Sequence, residues 1–65
     1  MAYFTVYKDT RNEFRWNLRS DNHRVIADSG EGYVRKHDCL AGIQLVKNEA
    51  PAANVYDQTQ KSLYG

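Results

Sequence analysis

Between residues 13 and 19, EFRWNLR, apolar and polar side chains alternate without a break. Phe14, Trp16 and Leu18 fall on one side; Glu13, Arg15, Asn17 and Arg19 fall on the other. Successive side chains of a strand point to opposite faces of its sheet. The pattern therefore predicts a strand in a sheet with one dry face and one wet face. Its register is strongly constrained, because a slip of one residue would bury four polar side chains.

The cover for that dry face is predicted over Val34–Asn48, the only convincing helical stretch in the chain. Cys39, Ile43 and Val46 fall within a narrow arc at the 3.6-residue period, with Gly42 beside them. Gly42 costs about 1 kcal/mol relative to Ala inside a helix, which a close approach between helix and sheet would offset. Neither Val34 nor Arg35 is a good N-cap, so backbone N–H groups at the helix start need other partners. The helix must stop near Asn48 or Glu49, since Ala50 precedes Pro51 and is biased out of the helical region. Leu40 and Leu45 lie off the stripe on opposite flanks, more than one small sheet would cover.

The remaining strands are shorter. Tyr3–Lys8 is rich in aromatic and β-branched residues, with Phe4 and Val6 on one face and Tyr3, Thr5 and Tyr7 on the other. Asp9–Asn12 has turn chemistry, and so does Ser20–Arg24, where His23 stands at a position that suits Gly better. Val25–Asp28 is a short third strand, and its pattern leaves open whether Ile26, or Val25 with Ala27, faces inward. After the helix, Asn54–Thr59 reads as a last strand and Lys61–Gly65 as a frayed tail. The expected fold is α+β: a three-stranded antiparallel meander, one covering helix and a C-terminal strand that joins the sheet. Residues 1–57 form one domain, and 58–65 a flexible tail.

A chain of 65 residues is one domain at most, and one this small buries only about 60% of its unfolded surface. Such folds gain stability from disulfides, metals or association. Cys39 is the only cysteine, so no disulfide can form within one chain. Cys39, His23 and His37 lack the spacing of a zinc site. Association remains. Nine Lys and Arg face eight Asp and Glu, a balance that supplies no strong basic field. No apolar run approaches the roughly 18 residues of a membrane span. MAYFTVYKD lacks the basic and apolar regions of a secretory signal. Together with a lone thiol, this suits a reducing cytoplasm.

The series Phe4, Tyr7-Lys8-Asp9, Glu13-Phe14-Arg15-Trp16-Asn17-Leu18-Arg19, Val25-Ile26-Ala27, Gly32-Tyr33, Lys36, then Cys39, Gly42, Ile43 and Val46-Lys47, resembles the YegP-like family of small bacterial domains of unknown function. The resemblance runs from residue 3 to about 57. It departs at Asn12 and His23, where the family has Gly, and at Val34 and Arg35, where the family has Ser after Gly-Tyr. It implies a β-β-β-α-β unit. Such units occur as tandem pairs, or as dimers that share one sheet and exchange their last strands. For this single unit it implies a homodimer with Asn54, Val55, Tyr56 and Asp57 as the exchanged strand. It brings no catalytic residue and no cofactor.

Arg35-Lys36-His37-Asp38-Cys39 is the densest cluster of reactive groups. A Cys–His pair at a helix start would lower the thiol pKa. However, His37 lies about 160° around the helix from Cys39, so Cys39 is read as a buried, inert thiol. The wet face is the other candidate, with Tyr7, Arg15, Asn17 and Arg19 beside Tyr3 and Thr5. Cations among aromatics can stack bases and hold phosphates; the plainer reading is a solvated face with cross-strand pairs, favoured by the balanced charge. Trp16 shares its face with Phe14 and Leu18 and reads as a core anchor. No catalytic, metal or cofactor residue is assigned. The expected function is a small cytoplasmic, non-enzymatic homodimeric module that mediates interactions with a partner the sequence does not identify. The alternative is a nucleic-acid binder using the open sheet face.

Overall fold

The computed structural model describes residues 1–59 and the backbone of 62–64. Strands β1 (Tyr3–Lys8), β2 (Phe14–Arg19) and β3 (Val25–Asp28) form an antiparallel sheet in the order β1-β2-β3. Helix α1 (Lys36–Glu49) follows, then a 3-10 turn (Ala50–Ala52), β4 (Val55–Asp57) and β5 (Ser62–Tyr64). β1 and β2 pair throughout, with Tyr3 opposite Arg19, Thr5 opposite Asn17 and Tyr7 opposite Arg15 on the wet side. Phe4 opposite Leu18 and Val6 opposite Trp16 make the dry side.

Both hairpin turns are built the same way. In the first, the Asn12 N–H reaches the Asp9 carbonyl at 3.0 Å and the Asp9 N–H reaches the Glu13 carbonyl at 2.9 Å. In the second, His23 bonds the Ser20 carbonyl and Ser20 bonds the Arg24 carbonyl, both at 2.9 Å. This is the three-residue loop whose last position is left-handed, a place Gly fills most easily. Here Asn12 (φ 65) and His23 (φ 67) take it. Asn tolerates that conformation. His23 is held there by the Tyr3 hydroxyl, 2.6 Å from its Nδ1, and by Arg19 Nη1, which donates to its carbonyl at 2.7 Å.

The third strand's orientation is decided by a bulge. Asp28 lies opposite Asn17 and Ala27 opposite Leu18, but Val25 rather than Ile26 lies opposite Arg19. Ala27 thus shares the dry side with Leu18, while the extra residue breaks the alternation. All four residues of β3 are exposed.

The helix covers β2. Its start is Lys36 rather than Val34: Arg35 is extended (φ −108, ψ 137) and makes no side-chain capping bond. Its carbonyl still accepts from Asp38 at 3.1 Å and Cys39 at 3.3 Å. Trp16 (6% exposed) and Cys39 (0%) are the two buried hydrophobic residues among those described. Gly42, Ile43 and Val46 are half-buried beside them, as their spacing predicts. Phe4 meets Trp16 edge-on, with ring centroids 5.5 Å apart. A Cβ at Gly42 would sit 2.7 Å from the Tyr33 hydroxyl and 3.6 Å from Trp16 Nε1, so the close approach inferred for Gly42 is present. Tyr33 is fixed by an isolated bridge to Phe14, its N–H and carbonyl exchanging bonds with Phe14 at 2.8 and 2.7 Å.

Three expectations for the C-terminal part change. Helix α1 stops at Glu49 as expected, but Ala50 keeps helical angles (φ −59, ψ −40) despite preceding Pro51, and its N–H bonds the Val46 carbonyl. Pro51 opens the 3-10 turn that continues the rotation. The last strand, Val55–Asp57, does not join the three-stranded sheet of its own chain; it forms a separate two-stranded antiparallel sheet with β5. The expected frayed tail lies partly outside the described residues, but the backbone of Ser62–Tyr64 pairs with β4, Tyr64 opposite Val55 and Ser62 opposite Asp57. Backbone pairing overrides the weak local signal there.

Candidate functional site

The wet face brings Tyr7, Arg15, Asn17 and Arg19 together as the alternation predicts, with Tyr3 and Thr5 across from them. The two cations are not free. Arg15 Nε donates to Asp9 Oδ2 at 2.6 Å, and both side chains are largely covered. Asp9 Oδ1 also accepts from the backbone N–H groups of Arg11 (2.9 Å) and Glu13 (3.0 Å). One carboxylate therefore closes the first turn and anchors the arginine. The Arg15 hydrogen bond, followed by that from Glu13, holds the Asp9 carboxyl below its ordinary pKa, while the same carboxylate raises that of Arg15. Arg19 is spent on the second turn through His23. The role of Asp9 is visible in the sequence only as turn chemistry; its bond to Arg15 depends on the left-handed Asn12 turning the strand back.

Between the arginines, Asn17 Oδ1 is buried without a hydrogen-bond partner among the described residues. The face is thus a half-buried surface rimmed by Tyr3 and Tyr7, with both of its arginines already engaged. Lys8 lies over the Phe14 ring, 4.9 Å from its centroid.

The reactive cluster at the helix start separates as its angles predict. Cys39 is fully buried and His37 exposed, and burial pushes the thiol pKa up. Among the described residues no three His, Cys, Asp or Glu side chains gather as a metal site, and no helix is long and apolar enough to cross a membrane.

The apolar surface is larger than the core. Leu40 (46% exposed), Leu45 (61%), Ile26 (60%), Val55 (54%) and Tyr56 (72%) all stand out. Leu40 and Leu45 lie on the two flanks of α1 as expected, and none of the described residues covers them.

A three-stranded meander under one helix, with a short strand placed outside that sheet, defines a small α+β domain with no assembled catalytic group among the described residues. The chain belongs to the DUF1508 family, a domain of unknown function whose family model matches residues 9–57; this is the YegP-like family that the sequence resembles. A UPF0339 protein of Treponema denticola is 46% identical over 54 residues, covering 83% of this chain and 91% of that protein. A UPF0339 protein of Stutzerimonas stutzeri is 40% identical over 55 residues, which are 85% of this chain but only 49% of that protein. The solution structure of a protein from Haloferax volcanii superposes with a TM-score of 0.82 at 45% identity, covering 86% of this chain and 93% of that one. The family therefore reaches beyond bacteria into archaea.

Proposed function

We propose that this protein is a homodimeric interaction module in which β4 of each copy pairs with the three-stranded sheet of the other. The observation that carries this is the position of β4: it leaves the sheet of its own chain and keeps Val55 and Tyr56 exposed. Exposed apolar strands and free sheet edges invite pairing with another chain. A second copy would cover them, together with the flanks at Leu40 and Leu45. The small core favours the same outcome, because a domain of this size gains little from burial alone. A relative about twice as long, of which this chain spans 49%, has room for two such units in one polypeptide, and a single-unit chain would reach the same assembly with two copies. The module works without catalysis, in the cytoplasm, where an unpaired thiol is suited. Its contact surface is the wet face around Tyr7, Arg15, Asn17 and Arg19, doubled by the second copy.

Sedimentation tests the dimer. The full chain should run as a dimer at micromolar concentration, and a version ending at Ala50 should not. Because that truncation removes much surface, Val55→Asp provides a gentler comparison, placing a charge on the pairing strand. A monomeric full chain, or an equally tight dimer from both altered chains, would refute the proposal.

A further inference from the structure

We infer that the outer edge of β1 pairs antiparallel with β1 of a second copy; this rests on the homodimer reading above. β1 is an edge strand of the three-stranded sheet. The first turn fixes which way its backbone groups point. The Asp9 N–H reaches inward to the Glu13 carbonyl, while on the far side of β2 Phe14 exchanges bonds with Tyr33. Backbone direction alternates along a strand. Tyr3, Thr5 and Tyr7 therefore bond β2, and the N–H and C=O groups of Phe4, Val6 and Lys8 point outward. Among the described residues no strand pairs with that edge.

The edge complements itself. A two-fold axis at Val6 sets Val6 against the second copy's Val6, and Phe4 against its Lys8. Every outward group of both strands then finds a partner, and no like charges face each other. Phe4 and Val6, half-buried in one chain, gain cover on the dry side, where each lysine stem lies along a Phe4 ring. On the wet side Thr5 meets the second copy's Tyr7. Both faces of the sheet continue across the join, as an isologous contact requires. The opposite edge, β3, is short and bulged, which blunts it against such a join and leaves it to a strand as short as β4.

Leu40 fits the same arrangement. At about 100° per residue, Gly42 and Leu45 lie to one side of Cys39 and Leu40 to the other. Gly42 faces the Tyr33 hydroxyl, and Tyr33 bridges Phe14 on the β3 side of β2. Leu40, 46% exposed, thus flanks the helix toward β1. Joining two sheets at β1 sets the β2 strands three spacings, about 14 Å, apart. Helices in direct contact lie about 8–10 Å apart, so the space between the two copies of α1 has room for both Leu40 side chains.

Amide hydrogen exchange on the full chain tests this without a substitution. In the dimer, the amides of Phe4, Val6 and Lys8 should exchange about as slowly as those of Thr5 and Tyr7, and dilution to monomer should speed only the first set. A dimer mixed from labelled and unlabelled chains should show contacts between Thr5 of one copy and Tyr7 of the other. Val6→Pro removes the N–H at the axis without touching a β1–β2 bond, and should weaken the dimer while circular dichroism shows the fold kept. Fast exchange at Phe4, Val6 and Lys8 in a dimeric chain overturns the inference and leaves the dimer standing. Slow exchange with contacts from β1 to Val55 or Tyr56 of the other copy overturns it too, since the exchanged strand would then hold that edge. A monomeric full chain removes both readings together.

Discussion

Replacing Gly42 with Ala tests the seam between helix and sheet. In an exposed helix the change would stabilise the protein by about 1 kcal/mol through backbone propensity. Here the new methyl would lie 2.7 Å from the Tyr33 hydroxyl and 3.3 Å from Tyr33 Cζ. Forcing a methyl group into a packed seam costs about 1–3 kcal/mol. The backbone of Tyr33 is bonded to Phe14 through both its N–H and its carbonyl, so any relief must come from rotation of its ring. The net expectation is a loss of up to about 2 kcal/mol, and each kcal/mol lowers the melting temperature of a domain this small by about 4–8 °C. Tyr33→Phe removes the nearest obstructing atom, so in that background Gly42→Ala should be neutral or stabilising. The coupling between the two sites should be about 1–2 kcal/mol. Urea denaturation followed by the fluorescence of Trp16, the only tryptophan, measures all four proteins at one fixed chain concentration, as an associating protein requires. A stabilising Gly42→Ala in the original background, or the same effect in both backgrounds, would refute the packing account.

Asp9 links stability to pH. Its folded-state pKa is depressed below the ordinary 3.8, first by Arg15 and then by the Glu13 N–H, so its contribution is complete above the ordinary value and is lost as pH falls through the folded value. Asp9→Asn should be less stable than the original at neutral pH and converge with it in acid; parallel stability profiles through the acid range would contradict this. Cys39, fully buried with a raised pKa, should react with a thiol reagent much more slowly in native than in denatured protein. Equal rates would place the thiol at the surface.

The alternation from Phe14 to Leu18 determined most of the sheet by itself, because period two with a dry face permits one register. The spacing of Cys39, Gly42, Ile43 and Val46 likewise determined which helix face meets that sheet. These are local patterns repeated over enough residues to outweigh competing choices. The paired wet-face residues were legible for the same reason, since Tyr7, Arg15, Asn17 and Arg19 share a face once the register is set. What Arg15 does there was not legible. Its bond to Asp9 depends on the path of the turn, and Asn12 and His23 occupy left-handed positions that local preference assigns to Gly. Only tertiary contacts, such as those of Tyr3 and Arg19 with His23, settle that conformation. The orientation of β3 was equally beyond the sequence, because four residues with a bulge have no period to read. The fate of the last strand was decided furthest from its own residues. Val55–Asp57 is strand-like by composition, but whether three residues pair with β3, β1 or β5 depends on backbone partners brought together by the whole chain.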